Sequence, residues 1–374
     1  MRLPIKELSG ILFKIFKVGM MRKISLLGIG LEILIMLLIP FWGCKKGVET
    51  ASEPLKKQAE EHYQKARRLF LTCDPDKYPD AMKEYQLALT YWDEYPEALA
   101  GLAEAISMWR GFSISEQEFG QAYQLAQRSL RLNPKLAEGY RAMADLFRHR
   151  KENERALRMI NKALEFKPSD AENLYVKGSV LLDSNPEEAF AVLAQAKRLN
   201  PDLPKTYFNL ASACHKLGQF DEAIHLLDIY QKSVPSDVAG YCSLAMVYLN
   251  KSNAEKSETT KKELLDTAIN NLKLTIAKSD VKNKPWQASW TLLSLKMLAN
   301  INLGQANYQE ALDYLKKAEE IYPEDPELHY LYGLVYKGMG NKNLAKTHLE
   351  KSLSLTQDTN PEVRELIKKE LKGL

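Results

Sequence analysis

The sequence predicts an all-α protein that stacks one short two-helix unit many times over. Three observations carry this expectation. Pro134, Pro168, Pro201 and Pro235 stand 34, 33 and 34 residues apart. Small residues precede these prolines at fixed places: Ala156 and Ala163 before Pro168, Ala189 and Ala196 before Pro201. The first half of each unit also repeats, since Tyr140, Met143, Ala144 and Phe147 align with Tyr207, Leu210, Ala211 and Cys214, and with Tyr241, Leu244, Ala245 and Tyr248. Residues at offsets 4, 7, 8 and 11 fall on one face of a 3.6-residue helix, so each unit opens with an amphipathic helix. The small residue at offset 8 lets a second helix come close, and alanines at offsets 20 and 27 do the same from that partner. A proline near offset 32 ends the unit because it cannot donate the next helical hydrogen bond and restricts the residue before it.

Composition agrees with a folded chain. Of 374 residues, 45% are hydrophobic and 27% charged, which excludes a disordered, collagen-like or disulfide-knot protein. The net charge of +4 is unevenly placed: the first 46 residues carry +6, which leaves −2 for the rest. A nearly neutral body has no concentrated cationic face, so nucleic acid is not an expected partner.

In chain order, the first feature is an apolar run, Ile24–Trp42, with Arg22 and Lys23 before it and Gly43-Cys44-Lys45-Lys46 after it. A basic segment before a short apolar one is the pattern of an export signal. The run is also nearly long enough to span about 30 Å of hydrocarbon as a helix. Either way the upstream basic residues keep the N-terminus cytoplasmic and send the body across. Pro40-Phe41-Trp42-Gly43-Cys44 resembles the cleavage box of bacterial lipoproteins, in which a small residue precedes the cysteine that becomes diacylated. Gly43 and Cys44 match that box; Phe41, Trp42 and the upstream Glu32 depart from it. The resemblance implies lipidation at Cys44, and two acyl chains hold a protein firmly at a membrane. The alternative is an uncleaved signal anchor. Met20-Met21 looks like a translation start, while the Leu/Ile/Phe and Lys alternation of residues 1–19 fits an amphipathic surface helix. Residues 1–44 are thus expected to be signal or anchor, 45–54 a tether, 55–360 the repeat body and 361–374 a cap.

The body divides into eight units. A divergent one covers about 55–95, with Ala66, Leu69, Ala81, Tyr85 and Ala88. The unit at 96–134 carries extra residues around Trp109 to Glu118, and the unit starting at Val238 carries a polar insert, Asn250 to Lys262, expected as a loop or a helix extension. The unit at 170–201 lacks one turn residue. Gly218-Gln219-Phe220 reads as a turn, glycine ending one helix and Phe220 opening the next. After Pro361, Val363, Leu366, Ile367 and Leu371 share one face of a final helix, the polar-backed cap that a solenoid needs. The 34-residue unit, with an aromatic at offset 4, large apolar at 7, small at 8, alanines at 20 and 27 and proline near 32, resembles the tetratricopeptide repeat, TPR. That resemblance implies a right-handed superhelix of about eight helix pairs whose first helices line a concave groove.

In that family the groove-facing offsets of the first helix here fall on Tyr63, Arg67, Arg141, Arg148, Tyr175, Phe208, His215, Met246, Lys296, Asn300, Tyr330 and Lys337. Asp145, His149, Ser179, Ser212, Lys216, Cys242 and Asn250 share those offsets. Aromatics and arginines dominate binding hot spots, and this mixture suits an extended peptide or a partner helix; the alternative is a wet, unused face, with partners on the convex side. Lys296 and Asn300 match the pair with which chaperone-binding relatives clamp a terminal carboxylate, but the next unit offers Tyr330, Leu331 and Leu334, so that clamp is incomplete.

No constellation in the chain assembles an active site. Gly28-Ile29-Gly30 lacks a third glycine, there is no phosphate loop or nucleophile elbow, and the six histidines are scattered over separate repeats without metal spacing. No enzyme activity, cofactor, metal or small-molecule substrate is expected. Cys73, Cys214 and Cys242 show no paired spacing; Cys214 takes a core offset, and a Cys214–Cys242 bridge would be six residues out of step. Lipoproteins of this broad design serve in assembly of pilus, secretion and polysaccharide-export complexes. The resemblance therefore implies a membrane-tethered adaptor for protein partners in a bacterial cell envelope. Lys45 beside Cys44 is not the aspartate that retains enteric lipoproteins at the inner membrane, which favours the outer one. The alternative is an inner-membrane, signal-anchored subunit supporting an envelope enzyme complex.

Overall fold

A computed structural model describes residues 51–356 and 361–374. The expectations for the signal segment and Cys44 lie outside the described residues. The described chain is all-α, with 17 α-helices and no strand. Contacts divide it into two units, which meet in sequence at Leu217 and Gly218.

The first unit holds α1 (Glu53–Leu71), α2 (Tyr78–Tyr91), α3 (Pro96–Arg110), α4 (Glu116–Leu132), α5 (Ala137–His149), α6 (Asn153–Phe166), α7 (Ala171–Leu181), α8 (Pro186–Leu199) and α9 (Pro204–Lys216). The second holds α10 (Phe220–Ser233), α11 (Val238–Ala254), α12 (Glu258–Lys278), α13 (Ala288–Gly304), α14 (Tyr308–Ile321), α15 (Pro326–Gly338), α16 (Lys342–Leu355) and α17 (Pro361–Lys372). Within the first unit α1–α2, α3–α4, α5–α6 and α7–α8 pair as hairpins, and within the second α11–α12, α13–α14 and α15–α16 do, before a last helix, as the repeat predicts.

Helix starts follow from local chemistry. Pro96, Pro186, Pro204, Pro326 and Pro361 sit in first turns, where no backbone donor is needed. Ser115 and Glu118 form a reciprocal capping box on α4. Asp170, Asn185, Asp237 and Asn341 accept backbone N–H groups at the starts of α7, α8, α11 and α16. The extra residues after α3 form a short 3-10 turn, Gly111–Ser113. The polar insert near residue 255 is a helix extension: α11 and α12 run 17 and 21 residues.

The small residues bring the helices together as their offsets predict. Ala103, Ala122, Ala126, Ala144, Ala156, Ala163, Ala189 and Ala196 are fully buried. A Cβ on Gly178 would stand 2.5 Å from Leu193, and one on Gly333 2.6 Å from Leu349, so each pair packs backbone against side chain. The cap behaves likewise: Ile367 joins Tyr330 and Leu349 in one apolar cluster, with Val363, Leu366 and Leu371 against it.

Several turns between successive helices use a left-handed residue. Gly218 and Gly340 meet that need at φ +73° and +78°. Ala306, in the same place between α13 and α14, adopts φ 61° with a Cβ that disfavours it. Relief of that strain, about 1–2 kcal/mol, outweighs the extra chain entropy of glycine, about 0.5–1 kcal/mol. Ala306→Gly is therefore expected to raise the melting temperature by about 1–3 °C; a fall in a thermal melt would refute this.

Candidate functional site

The first helices of the opening unit turn a charged stripe inward. Offsets four and seven or eight residues apart on α1, α3, α5 and α7 place Arg67, Glu104, Arg141, Asp145, Arg148 and Glu172 on one side. At the centre lies Arg141, 2% exposed. Its Nε donates to Glu104, its Nη2 donates to Glu104 Oε2 at 3.2 Å and approaches Glu172 at 3.5 Å, and its Nη1 donates to Asn173 Oδ1 at 3.2 Å. Arg67 donates to Glu172 and stands 3.8 Å from Glu104. Two guanidinium groups and two carboxylates from four successive hairpins thus form one closed set.

A second set lies beside it. Arg148 donates to Asp145 Oδ1 through Nε at 2.9 Å and through Nη2 at 2.7 Å. The same Nη2 donates to His149 Nε2 at 2.7 Å, which leaves Nδ1–H of that histidine to donate to Ser107 Oγ at 2.9 Å. Lys205 at the start of α9 reaches back to the first hairpin, its Nζ 5.2 Å from the Phe70 ring centre and 4.7 Å from that of Tyr78. Between the two sets remains a cavity of about 30 Å³, lined by Phe70, Cys73, Glu104, Met108, Arg141 and Tyr175. That is room for a water or two, not for a peptide.

The electrostatics follow from burial against pairing. Burial raises the Glu172 carboxyl, but Arg141 and Arg67 outweigh it and hold it below the usual range. Burial wins at Glu104, pushed up to about 7 against the pull of Arg141. Burial and then Arg148 push His149 down to about 3, so its ring is neutral. Burial also lowers Lys205 and raises the Cys73 thiol. Four bases (Arg67, Arg141, Arg148, Lys205) face four acids (Glu104, Asp145, Asp170, Glu172), and the stripe is charge-balanced.

The second unit treats its inner face in the same way. Lys296 is 2% exposed, and its Nζ donates to Asp325 Oδ2 at 2.8 Å and to Glu327. Asp325 Oδ1 meanwhile caps α15 by accepting from Glu327 and Leu328. Its two carboxylates outweigh the burial of Lys296 and hold its ammonium charged. Asn300 Oδ1 is buried without a hydrogen-bond partner among the described residues. Tyr330, 4% exposed, packs under the cap, and Lys337 Nζ donates to Glu370 of the cap at 2.9 Å.

The twelve groove positions therefore separate. Arg67, Arg141, Arg148 and Tyr175 are drawn together in the first unit, and Lys296, Tyr330 and Lys337 are each satisfied within the second. In the first unit the charged stripe pairs with itself across adjacent hairpins. Tyr63 packs on Tyr95, ring centres 5.1 Å apart, and stays half-buried. Phe208, His215 and Met246 are also half-buried, His215 pushed by burial down to about 4. The histidines are not all scattered, as the sequence suggests. His329 and His348 lie on the two helices of one hairpin, Nδ1 to Nδ1 3.2 Å, stacked with Tyr332 and Tyr336. Their shared unit was the signal for this. Among the described residues no cluster of His, Cys, Asp or Glu is placed to hold a metal ion, and Cys73, Cys214 and Cys242 are buried and unbridged.

Residues 302–370 match a tetratricopeptide repeat family, and residues 149–229 match the family of anaphase-promoting complex, cyclosome, subunit 3. The chain is 24% identical over 227 residues to anaphase-promoting complex subunit 3 of Schizosaccharomyces pombe, covering 60% of this chain and 31% of that protein. It is 24% identical over 152 residues to the human protein O-mannosyl-transferase TMTC1, covering 39% of this chain and 16% of that one. It thus spans under a third of the curated relatives it matches. A crystal structure of the APC/C hetero-tetramer Cut9–Hcn1 superposes with a TM-score of 0.60 at 20% identity, over 84% of this chain and 57% of that one. With helix pairs on one period, matching a repeat family over residues 302–370 and sharing its fold with this solved structure, the chain is an all-α solenoid of tetratricopeptide repeats.

Proposed function

We propose that this protein is a non-catalytic, membrane-tethered scaffold that holds protein partners in a bacterial cell envelope. One observation carries the reading: an apolar run with a basic flank and a Gly43-Cys44 box ends about ten residues before α1 opens the repeat array. Repeat arrays of this kind present extended surfaces for other proteins. The described residues include no helix long and apolar enough to cross a membrane, so in this reading the tether belongs to the segment before α1. Because the inner charges already pair with one another, a partner gains little from them without breaking buried contacts. Half-buried aromatics and the outer edges offer the accessible surface instead. The adaptor would serve assembly of a surface or export complex, with the outer membrane as its site.

The intact mass and N-terminal peptide of the protein purified from its own membranes test the tether. A chain that starts at Cys44 with added acyl mass is expected. An unlipidated chain that retains Ile24–Trp42 would overturn lipidation and favour the inner-membrane, signal-anchored reading, which the length of the apolar run also supports.

A further inference from the structure

The first unit closes on itself. Arg67, near the end of α1, donates to Glu172 in the first turn of α7. Lys205, in the first turn of α9, holds its Nζ 5.2 Å from the Phe70 ring centre and 4.7 Å from that of Tyr78. The backbone N–H of Lys205 also donates to the Cys73 sulfur. These contacts join the first hairpin directly to α7 and α9 and skip the helices between.

This seam differs from the stacking of successive hairpins. There, small residues bring backbones close: a Cβ on Gly101 of α3 would stand 2.5 Å from the Tyr85 ring of α2, and Ala98 and Ala103 are fully buried. Across the seam long cationic side chains make the contacts. The cavity of about 30 Å³ also lies along it, with Phe70 and Cys73 on one wall and Arg141, Tyr175 and Lys205 on the other.

Opening along this line strands no acid. Glu104 keeps both its contacts to Arg141, and Glu172 keeps Arg141 at 3.5 Å. Arg67 retains the Phe70 ring of its own helix, 5.5 Å away. The groups that lose partners, Arg67 and Lys205, are cations that water solvates, and burial already works against the charge on Lys205. A break between α3 and α5, or between α5 and α7, would instead part Arg141 from a carboxylate that it holds.

We propose that the contacts of Arg67 and Lys205 form a latch: the first unit exchanges between this closed form and one in which α1 and α2 swing away as a folded hairpin and uncover the charged inner stripe. Small shear at successive hairpin interfaces adds up at the seam, so no helix has to unfold. The swing needs no membrane and is independent of the tethered reading.

Cys73 reports the opening. Its thiol is 3% exposed and raised by burial, so it reacts only once the seam parts. Cys214, fully buried in the core of α9, reports deeper unfolding. Iodoacetamide on the full chain in detergent, read peptide by peptide by mass, is expected to modify Cys73 at least about tenfold faster than Cys214, at a rate insensitive to urea below the unfolding transition. Arg67→Glu sets a third acid beside Glu104 and Glu172, and Lys205→Ala uncovers the two rings. Each is expected to speed Cys73 by about tenfold more and to leave Cys214 unchanged. Amides of α1 and α2 are expected to stay protected from hydrogen exchange while Cys73 reacts. Equal rates at Cys73 and Cys214, or variants that speed both together, would overturn the latch, because the seam would then open only with the whole unit. Variants that leave Cys73 at the parent rate would overturn the roles of Arg67 and Lys205. Amides of α1 that exchange in step with Cys73 would replace the swing with melting of the first hairpin.

Discussion

Arg141→Ala is expected to lower the stability of the first unit by about 3–5 kcal/mol, the usual cost of stranding a buried charge. The side chain is 2% exposed and touches Glu104, Glu172, Asp170 and Asn173 together. Its removal leaves the Glu104 carboxylate, itself 3% exposed, with a single contact to Arg67 at 3.8 Å. The attraction within such a set barely exceeds the cost of drying it, so the loss comes from the orphaned carboxylates and not from a missing bond. A second variant separates these two origins. Arg141→Met combined with Glu104→Leu removes the stranded charge, and is expected to recover about half or more of the loss. Urea unfolding followed by hydrogen exchange of α3 and α5 reads both. A loss below about 1 kcal/mol for Arg141→Ala would mean that the stripe is wet and weakly coupled.

Much of this architecture was legible because it rests on local rules. A small residue at offset 8 or 20 permits close approach wherever it occurs, so Ala144, Ala156 and Ala189 could be placed before any contact was known. The cap was legible for the same reason, through the single apolar face of Val363, Leu366, Ile367 and Leu371. The inner stripe was legible only in part. Offsets picked out Arg67, Arg141 and Lys296, yet the partners that satisfy them lie one repeat away: Glu104 and Glu172 on either side of Arg141, Asp325 and Glu327 after Lys296. Which neighbouring offset a long side chain reaches depends on how the hairpins stack, and the period alone does not fix that. Lys205 over Phe70 and Tyr78 joins residues more than 120 positions apart and has no local signature at all. The polar insert was open between loop and extension because Ser, Thr and Lys serve both; the Ser257 cap and the length of α12 decided it.

The pH dependence of stability is expected to change markedly when His149 is replaced by Gln. In the folded protein burial and the Arg148 guanidinium push this ring down to about 3, against about 6.5 when unfolded. The sign follows. A base with a depressed folded pKa binds its proton more readily in the unfolded chain, so its contribution is whole above pH 6.5 and is lost as pH falls toward 3. Between pH 6.5 and 4.5 His149 alone costs about 2 kcal/mol. Glu104 acts in the opposite sense, because a carboxyl raised to about 7 binds its proton more readily when folded and adds stability as pH falls from 7 to 4.5. The two nearly cancel in the parent, whose own pH profile in this window is therefore shallow. His149→Gln removes one side of the balance while keeping an acceptor for Arg148 and a donor for Ser107. The variant starts less stable at pH 7 and is expected to gain on the parent by about 2–3 kcal/mol as pH falls to 4.5. The depressed carboxyls of Asp145 and Glu172 are lost only below about pH 4.5 and are common to both proteins. Urea midpoints at several pH values measure the difference, and parallel profiles for parent and variant would show that His149 is not held neutral by its neighbours.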